Sequence, residues 1–216
     1  MSYLIHYLLI APAILFALTI HEYFHARVAY KKGDLTAKLA GRLTLNPLKH
    51  LDPIGTVMLF LFRFGWAKPV PVNPYNFKNP RKDMVWVSLA GPLSNLGSGV
   101  FFCIILRVIR ELNLQSLSGF YPFYLIIIFL AFYNLILCIF NLIPIFPLDG
   151  ANVLYHLLPE EIAYEYGKIA RFGPFILILI ILLGSLGGVN ILWGWIGPFV
   201  ALVSKVFAGE SLLYLL

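Results

Sequence analysis

The sequence predicts an all-α polytopic membrane protein with about five transmembrane helices, a short re-entrant segment and a small β-hairpin. The chain has 216 residues, of which 60% are hydrophobic and only 12% are charged. Its mean hydropathy of +0.85 lies well above the range typical of soluble proteins. No tandem repeat and no long polar linker divides the chain, so residues 1–216 are expected to form a single domain.

Five long apolar segments stand out, and each is predicted to cross the membrane as a helix. The first is almost free of polar residues from Leu4 to Ile20. As a helix this stretch is about 25 Å long, which is most of a hydrocarbon core about 30 Å thick. The five segments comprise about residues 4–30, 84–112, 121–142, 172–186 and 189–206.

A sixth apolar segment, Ile54 to Phe64, is too short to cross a bilayer as a helix. If it did cross, Lys68 and Lys78 would lie on the opposite side of the membrane from Lys31 and Lys32. We therefore predict that it is re-entrant or packed against the helix bundle. Membranes tolerate such a segment where protein or water satisfies its backbone.

Basic residues are concentrated between the first and second long apolar segments. The positive-inside rule places this stretch in the cytoplasm, so the first helix runs inward, with the N-terminus outside and the C-terminus inside. The net charge of +6 then reflects membrane orientation, and the expected partner is a lipid bilayer and no nucleic acid. Ten of the sixteen Lys and Arg residues lie in this stretch: Lys31, Lys32, Lys38, Arg42, Lys49, Arg63, Lys68, Lys78, Arg81 and Lys82.

Residues 65–74 have the sequence GWAKPVPVNP, in which prolines alternate with other residues. Proline lacks a backbone N–H and cannot continue a helix, so the segment is predicted to be extended or an edge strand. One interpretation is a rigid connector. The other is an exposed edge that pairs with an extended peptide.

The first apolar segment ends in an HExxH motif, His21-Glu22-Tyr23-Phe24-His25. At helical spacing His21 and His25 lie on one face and can bind one zinc ion, while Glu22 remains available as a general base. A buried helix of a soluble protein with two coincident histidines is disfavoured because this segment has no polar face. The motif therefore predicts hydrolysis within a membrane, near the cytoplasmic end of an inward-running helix.

A catalytic zinc normally takes three protein ligands and leaves a fourth position for water. His6 lies at the wrong end of its helix, and His50 and His156 are expected to be solvated or interfacial. Asp149 follows a proline-rich break after the third long apolar segment and precedes Gly150, on the same side as the two histidines. A carboxylate suits zinc, so we favour Asp149 as third ligand over the alternative that it caps the following helix. The expected cofactor is one Zn²⁺ per chain.

Five elements in chain order make this sequence resemble the site-2 protease family of intramembrane zinc metalloproteases. The resemblance covers most of the chain and is closest to the small prokaryotic members, which implies a prokaryotic cell membrane. The elements are the HExxH motif, Gly41–Pro47 (GRLTLNP), residues 65–74, Ala90–Asn95 (AGPLSN) and Asn141–Gly150 (NLIPIFPLDG).

This resemblance implies zinc ligation by His21, His25 and Asp149, with Glu22 as the base. It also implies that Asn141, eight residues before Asp149, clamps the substrate. Asn95 would pack near the site, with plain helix packing as the alternative. The hairpin from Trp66 to Asn73 would supply a substrate-binding edge strand formed by Trp66, Lys68, Val70, Val72 and Asn73. Relatives with a helix before the motif, a PDZ-like insertion or a C-terminal regulatory domain differ from this chain.

The predicted function is hydrolysis of peptide bonds in or near transmembrane segments of membrane-protein substrates, by zinc-activated water with Glu22 as general base. One alternative is a catalytically silent zinc-containing scaffold, which the presence of Glu22 disfavours. A second is a zinc or ion transporter. Transporters commonly show paired repeats with broken helices in corresponding halves, and neither is evident here.

Overall fold

The computed structural model describes residues 3–55, 57, 65, 67–117, 119–186 and 191–215. Trp66 and most of the predicted re-entrant segment, residues 54–64, lie outside the described residues. The described chain is mostly helical. Its α-helices are α1 (Tyr3–Lys31), α2 (Thr36–Leu39), α3 (Pro80–Glu111), α4 (Tyr121–Asn141), α5 (Asp149–Leu157), α6 (Glu160–Ile169), α7 (Gly173–Leu186) and α8 (Ile191–Ala208).

Five helical stretches of the described chain are long and apolar enough to cross a membrane, the number that the sequence predicts. They lie within α1, α3, α4, the continuous stretch Glu160–Gly184, and α8. Large apolar side chains such as Phe101 on α3 and Phe175 on α7 are exposed on the outside of the bundle. Many large apolar side chains exposed on one bundle are typical of a surface that faces lipid.

Helix α3 is the centre of the bundle, because it packs against α1, α4, α5 and α8. Helices α1 and α3 run antiparallel: the Phe16 and Phe102 ring centroids are 5.6 Å apart, and Lys32 Nζ lies 2.9 Å from Asp83 Oδ1 near the other end of the pair. The main apolar core lies between α3, α4 and α8 and includes the fully buried Val200.

The C-terminal end of the chain lies at the opposite end of the helix bundle from the one predicted. At the C-terminal end of α3, Arg110 Nη2 donates a hydrogen bond to Ala208 O (2.8 Å), and Arg110 Nη1 lies 2.6 Å from Glu210 Oε1. Helix α3 is about 48 Å long, so this end is far from the Lys32–Asp83 pair. The C-terminal end of the chain and the Lys32–Asp83 pair therefore lie at opposite ends of α3, whereas the sequence analysis expected the C-terminus and the basic loops at the same end. Five complete crossings would bring the two to the same end, but α8 runs in the same direction as α3, with Leu192 packed near Ile143 and Ala208 next to Arg110.

The predicted β-hairpin is not found, because the described residues contain no strand. Residues 67–73 follow an extended path, and pairing is limited to one isolated antiparallel bridge between Leu51 and Ala67. The physical reason is that Pro69 and Pro71 have no N–H to donate to a ladder. The extended conformation predicted for this segment is present without a sheet.

Candidate metal centre

His21 and His25 lie one turn apart on α1, and their side chains are almost fully buried against α3. Their Nε2 atoms are 3.0 Å apart. The helical spacing of the HExxH motif therefore brings two nitrogen ligands to one point, as predicted.

Asp149 reaches the same point from the start of α5. Its Oδ2 atom lies 3.0 Å from His21 Nε2 and 3.2 Å from His25 Nε2. The chain turns tightly here, and a side chain at Gly150 would collide with Leu142 O, so only glycine fits. The N-cap position of α5 is occupied by Leu148, so Asp149 lies inside the first turn and not at the capping position. The structure thus brings together the three residues proposed as ligands from the sequence.

The three converging atoms fit a zinc ion. Ligands about 2.0–2.1 Å from a tetrahedral zinc are about 3.3 Å apart, close to the separations found here. The buried Asp149 Oδ2 has no hydrogen-bond partner within the described chain, as expected of an atom reserved for a metal. Burial raises the pKa of the Asp149 carboxyl. The two neighbouring histidines lower this pKa by more than burial raises it, so the net pKa lies below its usual range. A carboxyl group that binds zinc has to be ionised, and the two histidine ligands have to be neutral.

Hydrogen bonds behind the two imidazoles orient them towards this point. His25 Nδ1 donates to the carbonyl oxygen of Val87 (2.7 Å), and His21 Nδ1 donates to Asn95 Oδ1 (2.7 Å). Both bonds place the ring proton on Nδ1 and leave the Nε2 lone pair for a metal. Asn95 is fully buried and lies directly behind a proposed ligand.

Gly91 is a site residue whose role the sequence analysis did not identify. A Cβ atom there would lie 2.6 Å from His21 Cε1 and 2.7 Å from His21 Nε2, and closer still to His25 Nε2. The α3 backbone therefore passes directly against both imidazoles. A Gly-Pro pair in the middle of a long apolar helix was the available signal, because glycine there permits close helix contact.

Glu22 lines the same cavity as the three candidate ligands. The cavity has a volume of about 510 Å³. The Glu22 side chain is mostly buried, and its Oε2 accepts a hydrogen bond from the backbone N–H of Val70 (3.0 Å). Asn141 and the extended segment also contribute to the wall, the latter through Ala67, Pro69, Val70 and Val72.

The extended segment is fixed at its first end by one backbone and one side-chain hydrogen bond to the loop before it. Lys68 N donates to His50 O (2.8 Å), and Arg42 Nη2 donates to Lys68 O (2.5 Å). His50 is 1% exposed, so the prediction that it is solvated or interfacial is wrong. Its ring is instead hydrogen-bonded through Nε2 to Thr44 O.

The other end of the segment is fixed by Asp34, which the sequence analysis also missed. Asp34 is fully buried, and its Oδ2 accepts from the backbone N–H of Asn73 (2.8 Å). Its Oδ1 accepts from Asn76 Nδ2 (2.7 Å) and from the backbone N–H of Thr36 (3.0 Å). Burial raises the pKa of Asp34, but these hydrogen bonds outweigh it and hold the pKa below its ordinary value. An acidic residue directly after Gly33 at the end of a helix was the only signal.

The proposed substrate-binding residues divide into two groups. Val70, Val72 and Asn141 line the cavity, and Asn141 Nδ2 also donates to Leu137 O (3.0 Å). Lys68 and Asn73 lie at the two fixed ends of the segment, and neither is part of the described cavity wall. The Asn73 side chain instead accepts from Tyr75 N and begins a 3₁₀ turn.

The sequence of this chain is similar to those of known zinc metalloproteases. A family model described as "Peptidase family M50" matches residues 113–183, which include Asp149. "Putative zinc metalloprotease YwhC" of Bacillus subtilis (strain 168) is 40% identical over 209 residues, covering 95% of this chain and 92% of the relative. "Putative zinc metalloprotease Rip2" of Mycobacterium tuberculosis (strain ATCC 25618 / H37Rv) is 29% identical, covering 84% and 70%. No solved structure matches.

Proposed function

Because this chain belongs to peptidase family M50, the site-2 protease family of membrane zinc metalloproteases, we propose that His21, His25 and Asp149 hold its zinc ion. Glu22 is the general base of peptide hydrolysis. The substrates are transmembrane segments of other membrane proteins, cut within the segment or next to it. The observation that carries this proposal is the convergence of three ligand atoms within 3.0–3.2 Å beside Glu22 in one cavity.

Bound zinc supplies a Lewis acid that polarises the scissile carbonyl and makes a water molecule nucleophilic near neutral pH. Glu22 accepts a proton from that attacking water and returns it to the leaving amine. The Val70 N–H fixes one oxygen of the Glu22 carboxylate and so orients the group for both transfers. Asn95 and Val87 O hold the two imidazoles so that their Nε2 atoms face the metal.

A transmembrane substrate has to be extended at the cut, because a helix keeps its carbonyl groups in internal hydrogen bonds. The segment from Lys68 to Asn73 is itself extended and fixed at both ends. Val70 and Val72 then form one wall for an extended substrate. Asn141 faces the same cavity and is the candidate to hydrogen-bond the substrate backbone.

The active-site end of the bundle is the cytoplasmic end. Lys32 lies there in a 2.9 Å ion pair with Asp83, and Arg81 Nε donates to His156 O (2.8 Å). This end therefore collects the basic loops, as the positive-inside rule requires. His25 is six residues before the end of α1, about 9 Å along the axis, so water from the cytoplasm has a short path to the cavity.

The test compares wild-type protein with Glu22→Gln, using cleavage of a transmembrane test substrate in detergent or proteoliposomes. Glutamine keeps the size of the side chain and its acceptor oxygen but cannot take the proton. We expect cleavage to fall by about 10²–10⁴-fold with unchanged zinc content. Glu161→Gln is the matched control, because Glu161 is exposed on α6 and its substitution should leave cleavage unchanged.

Two outcomes contradict the proposal. If zinc-loaded Glu22→Gln cleaves as fast as the wild type, Glu22 is not the base. If His21→Ala or Asp149→Ala binds zinc as tightly as the wild type, the ligand assignment is wrong.

A further inference from the structure

Asn134 is a polar side chain in the middle of the apolar helix α4, and it is fully buried. A buried amide destabilises a protein unless its hydrogen bonds are satisfied. Asn134 Nδ2 donates to Leu130 O (2.7 Å), and its Oδ1 accepts from Asn95 Nδ2 (2.9 Å). Asn134 is not part of the described cavity wall, so it cannot act on a substrate directly.

Its partner Asn95 connects it to a proposed zinc ligand. Asn95 Oδ1 accepts the proton of His21 Nδ1 (2.7 Å). The two Asn95 amide hydrogens go to Ala17 O (2.9 Å) and to Asn134 Oδ1 (2.9 Å). An uninterrupted series of hydrogen bonds therefore runs from α4 through α3 to His21.

The orientation of the Asn95 amide decides which nitrogen of His21 carries the proton. If the amide were rotated by half a turn, its NH₂ group would face His21 Nδ1, which would then have to accept. The proton would move to Nε2, and that atom could not bind a metal. The rotated Asn95 oxygen would also face two other oxygens, those of Ala17 and Asn134. Asn134 is thus the second acceptor that excludes the rotated form.

We propose that Asn134 is a positioning residue of the metal centre, acting through Asn95 to keep His21 in the tautomer whose Nε2 can bind zinc. This inference rests on the proposed assignment of His21 as a ligand. Groups that orient metal ligands from behind typically contribute 10- to 100-fold to metal affinity. We expect a contribution of that order from Asn134.

The test measures the zinc affinity of the purified full chain by competition with a chelator. Asn134→Leu keeps the size of the side chain but removes the acceptor, and we expect affinity to fall about 10- to 100-fold. Asn134→Asp should restore most of the affinity, because the neutral acid keeps a carbonyl oxygen for Asn95 and an O–H for Leu130 O. Cys138→Val is the control, since Cys138 is buried one turn further along α4.

If the role of Asn134 were purely structural, Asn134→Leu would lower the unfolding temperature of the zinc-free protein. Asn134→Asp would then not restore the zinc affinity. If Asn134→Leu does not fold, Asn134→Ser replaces it, because serine can bond Leu130 O within the helix but is too short to reach Asn95. The inference is overturned if the acceptor-free variant binds zinc like the wild type, if Cys138→Val loses as much affinity, or if aspartate fails to rescue. Retention of zinc by His21→Ala would instead refute the ligand assignment itself.

Discussion

Substitution of Gly91 by alanine should damage the metal centre while leaving the helix around it intact. The new Cβ would lie 2.7 Å from His21 Nε2, about 0.7 Å short of the 3.4 Å at which ordinary van der Waals contact begins. The atoms in the way are the proposed ligand atoms, so relief of the collision has to move them. Metal–ligand distances tolerate deviations of only about 0.2 Å, so the collision is larger than the site can absorb.

The size of the effect follows from the cost of overpacking a well-packed site, about 1–3 kcal/mol. If that cost falls on the zinc-bound form, zinc affinity drops by about 5- to 150-fold. Alanine is a better helix former than glycine by about 1 kcal/mol, so α3 itself should not weaken. Gly97→Ala is the matched control on the same helix, because a Cβ there would meet nothing within 4 Å.

The assay is chelator competition for zinc on both purified variants, followed by cleavage of the test substrate at saturating zinc. We expect Gly91→Ala to lose zinc at chelator concentrations that leave Gly97→Ala loaded. Equal zinc affinity in the two variants would show that α3 does not constrain the imidazoles, and the reasoning from close approach would fail.

Two further predictions concern the extended segment. The folded pKa of Asp34 lies below its ordinary 3.8, so its stabilising effect is complete above that value and is lost as pH falls through the folded pKa. Asp34→Ala should therefore flatten the acid decline of the unfolding temperature, and an equally steep decline in both proteins would contradict this. Val70→Pro removes the backbone N–H that donates a hydrogen bond to Glu22, whereas Val70→Ala keeps that N–H. Because the bond is made to a carboxylate, we expect its loss to lower kcat by about 10- to 150-fold. Equal kcat values in the two Val70 variants would show that this bond does not orient the base.

Local patterns explain why much of the fold was predictable. Apolar length predicted the spans in α1, α3 and α4, because a bilayer fixes the length of a crossing helix. The direction of α8 was not predictable from charge, since it depends on its packing against α3 and α4. The extended segment was predictable from its prolines, which also explain why it forms no strand. The contacts of Arg42 and Asp34 that fix its two ends were not predictable, because they join residues far apart in the chain.

The sequence by itself determined which residues are the candidates for the chemistry of the site. The helical spacing of His21 and His25 fixes their common face, and the need for a third ligand pointed to Asp149. Only the tertiary structure decided what holds these groups in place: Gly91 against the imidazoles, Asn95 and Asn134 behind His21, and Val70 on Glu22. These contacts join residues far apart in the chain, and their partners are backbone atoms or single amides that leave no periodic pattern. A sequence motif specifies which atoms bind a metal, whereas helix packing sets where those atoms point.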